Sequence, residues 1–136
     1  MTMTMTRMCY IIALVIALPV LALSQKQDVI NKDIDVATFK SYVDKEKGLV
    51  LDVRTADEVK EGYIKGAKNV DYFSDEFEAE IKKLPLDKPV YVYCRSGNRS
   101  GQAAADMKKW GFKEVYNLNG GITAWQEKGN EMVVPK

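Results

Sequence analysis

One stretch of the chain, residues 89–100, has the sequence Pro89-Val-Tyr-Val-Tyr-Cys94-Arg-Ser-Gly-Asn-Arg99-Ser100. Its first half is an apolar run of strand length, which predicts a buried strand ending at Cys94. A turn follows at Gly97, and the spacing from Asn98 to Trp110 predicts a helix that Gly111 caps. A strand that leads directly into a helix is typical of α/β proteins with a mostly parallel sheet, covered by helices on both faces.

The alternation of strands and helices continues on both sides of this stretch. Further strands are predicted at residues 48–54, 67–72 and 114–118. Further helices are predicted at residues 36–47, at 55–61 with a capping box of Thr55 and Glu58, at 75–84 with Ser74 as cap, and at 122–128. Ligands of such sheets bind beyond the carboxyl ends of the strands, which is where Cys94 is expected.

Composition excludes several classes of site. The 136 residues allow one domain, and a formal net charge of +1 gives no basic field that would indicate a nucleic-acid partner. The chain has no histidine, which removes serine and cysteine triads that use imidazole and most zinc sites. The two cysteines, Cys9 and Cys94, are too few for a thiolate metal cage.

The N-terminus has the pattern of an export signal. Arg7 precedes an apolar run, and small residues at 22 and 24 come before polar sequence. We therefore expect a signal peptide at residues 1–24, a single domain at 25–136, and a periplasmic or otherwise exported product. An uncleaved membrane anchor is the alternative. Cleavage would leave Cys94 as the lone cysteine, so it would form no internal disulfide.

The loop after the strand is expected to activate that cysteine. A short turn into a helix aims backbone N–H groups inward, and Arg95 and Arg99 add positive charge. Such a cradle lowers the pKa of a thiol and favours the thiolate. The alternative is a small apolar cysteine that ends a core strand beside solvated arginines. A phosphate loop is a weaker alternative, because the Gly-Lys-Ser/Thr element is absent.

At this point the sequence resembles the rhodanese family of sulfurtransferases, in particular its small, exported, single-domain bacterial members. The resemblance covers residues 29–127 and rests on three motifs in order: Leu51-Asp52-Val-Arg54 with Glu58 and Gly62-Tyr-Ile-Lys-Gly66-Ala-Lys-Asn69, then Tyr93-Cys94-Arg-Ser-Gly-Asn-Arg99-Ser100, then Asn117-Leu-Asn-Gly120-Gly121 with Trp125. It implies a rhodanese-like three-layer α/β fold with a mostly parallel five-stranded sheet.

The resemblance also implies a function of the thiosulfate sulfurtransferase type. Cys94 would take a sulfane sulfur from thiosulfate or a similar small anion, hold it as a covalent persulfide, and pass it to cyanide or a thiol. Arg95 and Arg99 would bind the anionic donor. The amides of the loop would surround the outer sulfur, from Ser96, Gly97, Asn98, Arg99 and Ser100. Neither a metal nor an organic cofactor is implied, and we expect a monomer with no membrane contact beyond the signal segment.

Four further residues have predicted supporting roles. Asp52 and Arg54 are expected to form an ion pair at the end of a strand, and Gly120 and Gly121 to permit a tight turn beside the loop. The family usually has histidine where Tyr63 stands and often proline at Lys65, so packing there should differ.

Two alternatives remain open at this point. A cysteine phosphatase or arsenate reductase of the same fold has a longer loop between nucleophile and arginine than the one from Cys94 to Arg99. A non-catalytic binding module of this fold would often lack the cysteine, which is present here. A sulfur-carrier protein that acts by docking to a partner would keep the cysteine, and sequence does not separate it from a thiosulfate enzyme.

Overall fold

A computed structural model describes residues 28–136. The predicted signal peptide, residues 1–24, lies outside the described residues. The described part contains strands β1 (Ile30–Ile34), β2 (Leu49–Asp52), β3 (Lys68–Asn69), β4 (Val90–Tyr93) and β5 (Glu114–Leu118). Its helices are α1 (Val36–Asp44), α2 (Ala56–Lys60), α3 (Phe77–Lys82), α4 (Asn98–Lys109) and α5 (Gly121–Glu127). None of these helices is long and apolar enough to span a bilayer.

The five strands form one parallel sheet in the order β1-β5-β4-β2-β3. Strand β4 lies at its centre, and all four of its residues are buried. Because neighbouring strands run in the same direction, their carboxyl ends meet at one edge of the sheet. Asp52, the last residue of β2, therefore stands beside Tyr93, the last residue of β4. The predicted α/β architecture with a parallel five-stranded sheet is confirmed.

The side chains of the sheet pack into two separate hydrophobic cores, because successive residues of a strand point to opposite faces. Val90 and Val92 belong to the core under α3 and α4. Tyr91 and Tyr93 belong to the core under α1 and α5, where they meet Phe39 edge to face. The sheet is thus covered on both faces, and β4 is held from above and below close to the point where Cys94 follows it.

The structure differs from the predicted elements in four places. Strand β3 spans only Lys68–Asn69 of the predicted residues 67–72. Strand β1 has no counterpart among the predicted strands, because three of its five residues are polar and it pairs only with β5 at the edge of the sheet. Helix α1 ends at Asp44, before the predicted residue 47. Ser74 is not the cap of α3. It closes a turn by accepting the N–H of Phe77 on its carbonyl, and the helix begins at Phe77.

The predicted capping box of α2 is confirmed. The N–H of Glu58 donates to Thr55 Oγ1 at 3.3 Å, and the N–H of Thr55 donates to Glu58 Oε2 at 2.9 Å. This reciprocal pair fixes the start of a short helix that buries none of its own residues. It also fixes the Glu58 carboxylate at the edge of the sheet where the strands end.

Candidate active site

The loop that follows β4 turns within four residues and then becomes α4. Gly97 makes this turn possible, since its φ of +100° lies in the left-handed region that other residues rarely adopt. A Cβ at Gly97 would also lie 3.3 Å from the carbonyl oxygen of Leu118. The turn therefore brings the first amides of α4 back toward the side chain of Cys94.

The sulfur of Cys94 accepts two hydrogen bonds from this turn. The N–H of Gly97 donates to Sγ at 3.1 Å, and the hydroxyl of Ser100 donates at 3.2 Å. Cys94 is only 1% exposed. Burial alone would raise the pKa of the thiol, but the Ser100 hydroxyl and the amides of Ser100, Ser96 and Gly97 outweigh it and lower the pKa. The buried sulfur thus lies among hydrogen-bond donors, which an apolar bystander would lack.

The two loop arginines have different surroundings. Arg95 is exposed and lines a cavity of about 90 Å³ next to the loop. Arg99 donates from both of its terminal nitrogens to Glu58, at 2.8 and 2.7 Å. The cavity is also lined by Arg54, Glu58 and Glu61, whereas neither Cys94 nor Arg99 is among its lining residues. The cavity therefore adjoins the loop at Arg95.

Helix α5 donates hydrogen bonds to two backbone carbonyls of the loop. The N–H of Ile122 donates to the carbonyl of Cys94 at 2.9 Å, and the N–H of Thr123 donates to that of Arg95 at 3.2 Å. Gly120 and Gly121 have φ values of +79° and +59°, as a tight turn requires. Because the backbones approach closely here, a Cβ on Gly121 would lie 2.4 Å from the carbonyl oxygen of Arg95.

Asn117 supports the loop from the end of β5. Its Nδ2 donates to the carbonyl of Gly97 at 3.2 Å and to Oδ1 of Asp33 at 3.0 Å. Gly97, whose N–H donates to the sulfur, is therefore also held at its own carbonyl, in the next peptide group. Sequence reasoning placed Asn117 in a motif but gave it no role, since nothing local indicates its contact with Gly97 twenty residues away.

The family assignment follows from comparison with known proteins. The sequence profile described as "Rhodanese-like domain" matches residues 35–128, which include every side chain of the loop described above. The chain belongs to the rhodanese family.

Relatives of this chain include proteins named as sulfurtransferases. It is 38% identical over 93 residues to a protein of Allochromatium vinosum named "Sulfurtransferase", covering 68% of this chain and 85% of that one. It is 31% identical over 107 residues to "Thiosulfate sulfurtransferase GlpE" of Pseudoalteromonas translucida, covering 75% and 95%. It is also 39% identical over 82 residues to the "Uncharacterized protein YqhL" of Bacillus subtilis, and the match covers 60% of this chain and 64% of that one.

A solved structure also resembles this chain. The crystal structure of a rhodanese-related protein from Thermoplasma volcanium is similar with a TM-score of 0.67 and 32% identity, over 76% of this chain and 99% of that one. The rhodanese-like three-layer fold is thereby confirmed.

Asp52 and Arg54 form the expected ion pair near the loop that carries Cys94. Both are buried, and Arg54 Nη2 lies 2.7 Å from Asp52 Oδ2. The same nitrogen donates to the carbonyl of Gly62 at 2.7 Å, so the pair links β2 to the segment after α2. That segment contains Tyr63, whose backbone pairs with Val133 at the end of the domain.

Removal of the Ser100 hydroxyl should raise the pKa of Cys94. In Ser100→Ala we expect Cys94 to be alkylated about tenfold more slowly at neutral pH, because a hydrogen bond to a charged group is lost. The reactivity of a thiol with a lowered pKa is full above that pKa and falls as the pH drops through it. The midpoint of the rate against pH should therefore move upward in the variant.

The measurement is the rate of iodoacetamide modification across pH. Ser41→Ala is the control, since that exposed hydroxyl donates to Thr38 on α1 and should leave the profile unchanged. An unchanged midpoint in Ser100→Ala would show that the hydroxyl does not stabilise the thiolate.

Proposed function

We propose that this protein moves sulfane sulfur from thiosulfate, or a similar small anionic donor, to cyanide or a thiol through a persulfide on Cys94. One observation carries the proposal: the Cys94 sulfur accepts hydrogen bonds from the Gly97 amide and the Ser100 hydroxyl. These donors stabilise negative charge on sulfur, as both the attacking thiolate and the persulfide require. Relatives named as sulfurtransferases support it.

The chemistry proceeds in two displacements. The Cys94 thiolate attacks the sulfane sulfur of thiosulfate, an S–S bond forms at Sγ, and the original S–S bond breaks with its electron pair leaving on sulfite. The acceptor then attacks the outer sulfur, so that cyanide becomes thiocyanate, or a thiolate becomes a persulfide, and the Cys94 thiolate returns. Both steps balance without an external oxidant, reductant or proton donor, so we propose no metal or organic cofactor.

The loop length favours this reaction over phosphoryl or arsenate chemistry. Four residues separate Cys94 from Arg99, and the turn closes on the sulfur at hydrogen-bond distance. A tetrahedral oxyanion needs a wider ring of amides than a single added sulfur atom does. Arg95, exposed at the edge of the neighbouring cavity, is available to meet the donor. We further propose that the protein is exported through residues 1–24 and acts as a monomer.

Incubation with thiosulfate followed by intact mass measurement tests the proposal. The wild-type protein should gain the mass of one sulfur atom, and cyanide should remove it with formation of thiocyanate. Cys94→Ser should gain nothing, while Cys9→Ser should behave as wild type, since Cys9 lies in the predicted signal segment. If the wild type stays unmodified while an aryl phosphate ester is hydrolysed in a Cys94-dependent way, the phosphatase alternative is correct.

A further inference from the structure

Arg99, the second arginine of the loop, is held on two sides. Its terminal nitrogens form a two-pronged ion pair with Glu58, and the side chains of Arg99 and Glu58 are 19% and 20% exposed. On another side, its guanidinium carbon lies 5.6 Å from the centroid of the Phe73 ring. Fork-to-fork pairing of this kind fixes a guanidinium in one orientation. Arg99 is therefore not a free cation that can turn toward a small anion.

Glu58 is equally fixed. Besides Arg99, its Oε2 accepts from the N–H and the hydroxyl of Thr55, at 2.9 and 3.0 Å. The ion pair with Arg99, opposed by burial and helped by Thr55, lowers the pKa of Glu58 to about 2. The carboxylate is thus charged at every pH at which a rhodanese would work, and its charge is matched by that of Arg99.

The position of this carboxylate matters for an anionic donor. Glu58 lines the same cavity as Arg95, whereas Arg99 does not line it. Without Arg99, a full negative charge would face the space beside the only loop arginine that lines the cavity. Coulomb repulsion would then oppose the approach of thiosulfate, which carries two negative charges.

We propose that Glu58 is a positioning residue that holds Arg99 as its counter-ion, so that Arg95 alone among the loop arginines meets the sulfur donor. The kinetic part of this inference rests on the proposed sulfur transfer. It replaces the expectation that Arg99 binds the donor directly. Arg99 acts instead by neutralising the carboxylate and by joining α2 to the loop, across 41 residues of sequence.

A double-substitution cycle separates the two roles. In Arg99→Gln, the unmatched Glu58 carboxylate should raise KM for thiosulfate about tenfold, with kcat changed less than about threefold. Removal of the carboxylate as well, in Glu58→Gln/Arg99→Gln, should bring KM back to within about threefold of wild type. If Arg99 touched the donor, the double variant would keep the high KM of Arg99→Gln, and the inference would be wrong.

The charge-preserving variant Arg99→Lys gives a second check. A lysine keeps the positive charge beside Glu58 but cannot form the two-pronged contact. We expect KM within about threefold of wild type if neutralisation is the role. A KM as high as that of Arg99→Gln would show that the guanidinium group of Arg99 itself binds the donor.

A readout that does not depend on turnover keeps this inference separate from the proposed function. We would measure the ratio of Cys94 alkylation rates by iodoacetate, an anion, and by neutral iodoacetamide. The ratio should fall about tenfold in Arg99→Gln and return in the double variant. If wild type transfers no sulfur but the ratio behaves in this way, the proposed function fails and the positioning role stands. If the ratio stays low in the double variant, the positioning role fails whatever the turnover.

The matched control is an exposed ion pair on the same helix. Lys60 Nζ lies 2.9 Å from Asp57 Oδ1, and the two side chains are 72% and 90% exposed. Asp57→Asn/Lys60→Gln removes the same two charges as the test variant and should change neither KM nor the alkylation ratio. Thermal unfolding of every variant identifies any that does not fold. If Arg99→Gln does not fold, the KM values and alkylation ratios of Arg99→Lys and of Glu58→Gln/Arg99→Gln test the inference.

Discussion

Arg54→Met should destabilise the fold by about 3–5 kcal/mol, because it leaves the carboxylate of Asp52 buried without its partner. Three hydrogen bonds from the Arg54 guanidinium to that carboxylate would be lost, as would the one to the carbonyl of Gly62. One bond to Asp52, from the backbone N–H of Arg54, would remain. Urea unfolding followed by circular dichroism measures the difference.

The double variant Asp52→Asn/Arg54→Met is the control for this result. It removes the buried charge together with its partner, so it should recover a large part of the lost stability. If the double variant is no more stable than Arg54→Met, the loss comes from the packing of the arginine and its contact with Gly62. In that case the interpretation as an uncompensated buried charge is wrong.

Gly121→Ala should disrupt the loop around Cys94 and cost about 3 kcal/mol of folding free energy. The new methyl group would lie 2.4 Å from the carbonyl oxygen of Arg95 and 2.6 Å from that of Cys94. Both are backbone atoms whose positions are fixed by donors in α5, so neither can move aside cheaply. The lowered pKa of Cys94 should be lost as well, because the loop amides would no longer converge on the sulfur.

Gly129→Ala separates this close approach from backbone strain alone. Gly129 also has a positive φ, +78°, but a Cβ there meets nothing within 4 Å. It should cost only about 1 kcal/mol, the penalty of a left-handed conformation. Unfolding free energies and the pH profile of Cys94 alkylation check both variants. Equal losses in the two would show that the contact between α5 and the loop contributes nothing.

Local sequence patterns predicted the central strand of the sheet and the loop that carries Cys94. The apolar run into Cys94, the turn at Gly97 and the helix that follows are each indicated by neighbours in sequence, and the structure has them within a residue or two. The capping box of Thr55 and Glu58 was found in the same way. Such signals depend on interactions over three or four residues, which sequence displays directly.

What sequence reasoning missed depends on contacts between distant residues. Strand β1 is stabilised by pairing with β5, some eighty residues later. Its polar residues leave no apolar pattern from which a strand could be predicted. Glu58 was recognised as part of a cap and of the first motif but was given no partner, because its pairing with Arg99 joins two segments that meet only in the folded sheet. Asn117 was missed for the same reason. No local pattern distinguishes a loop arginine with a counter-ion from one without.

The bonds from α5 to the loop bear on how this protein is made. The carbonyls of Cys94 and Arg95 receive their donors from Ile122 and Thr123, near the carboxyl end of the domain. A nascent chain that has left the ribosome only as far as Leu118 carries all five strands of the described fold, the cysteine and the two donors to its sulfur, but not these amides. The loop around Cys94 therefore gains the donors to its carbonyls only after α5 has been made.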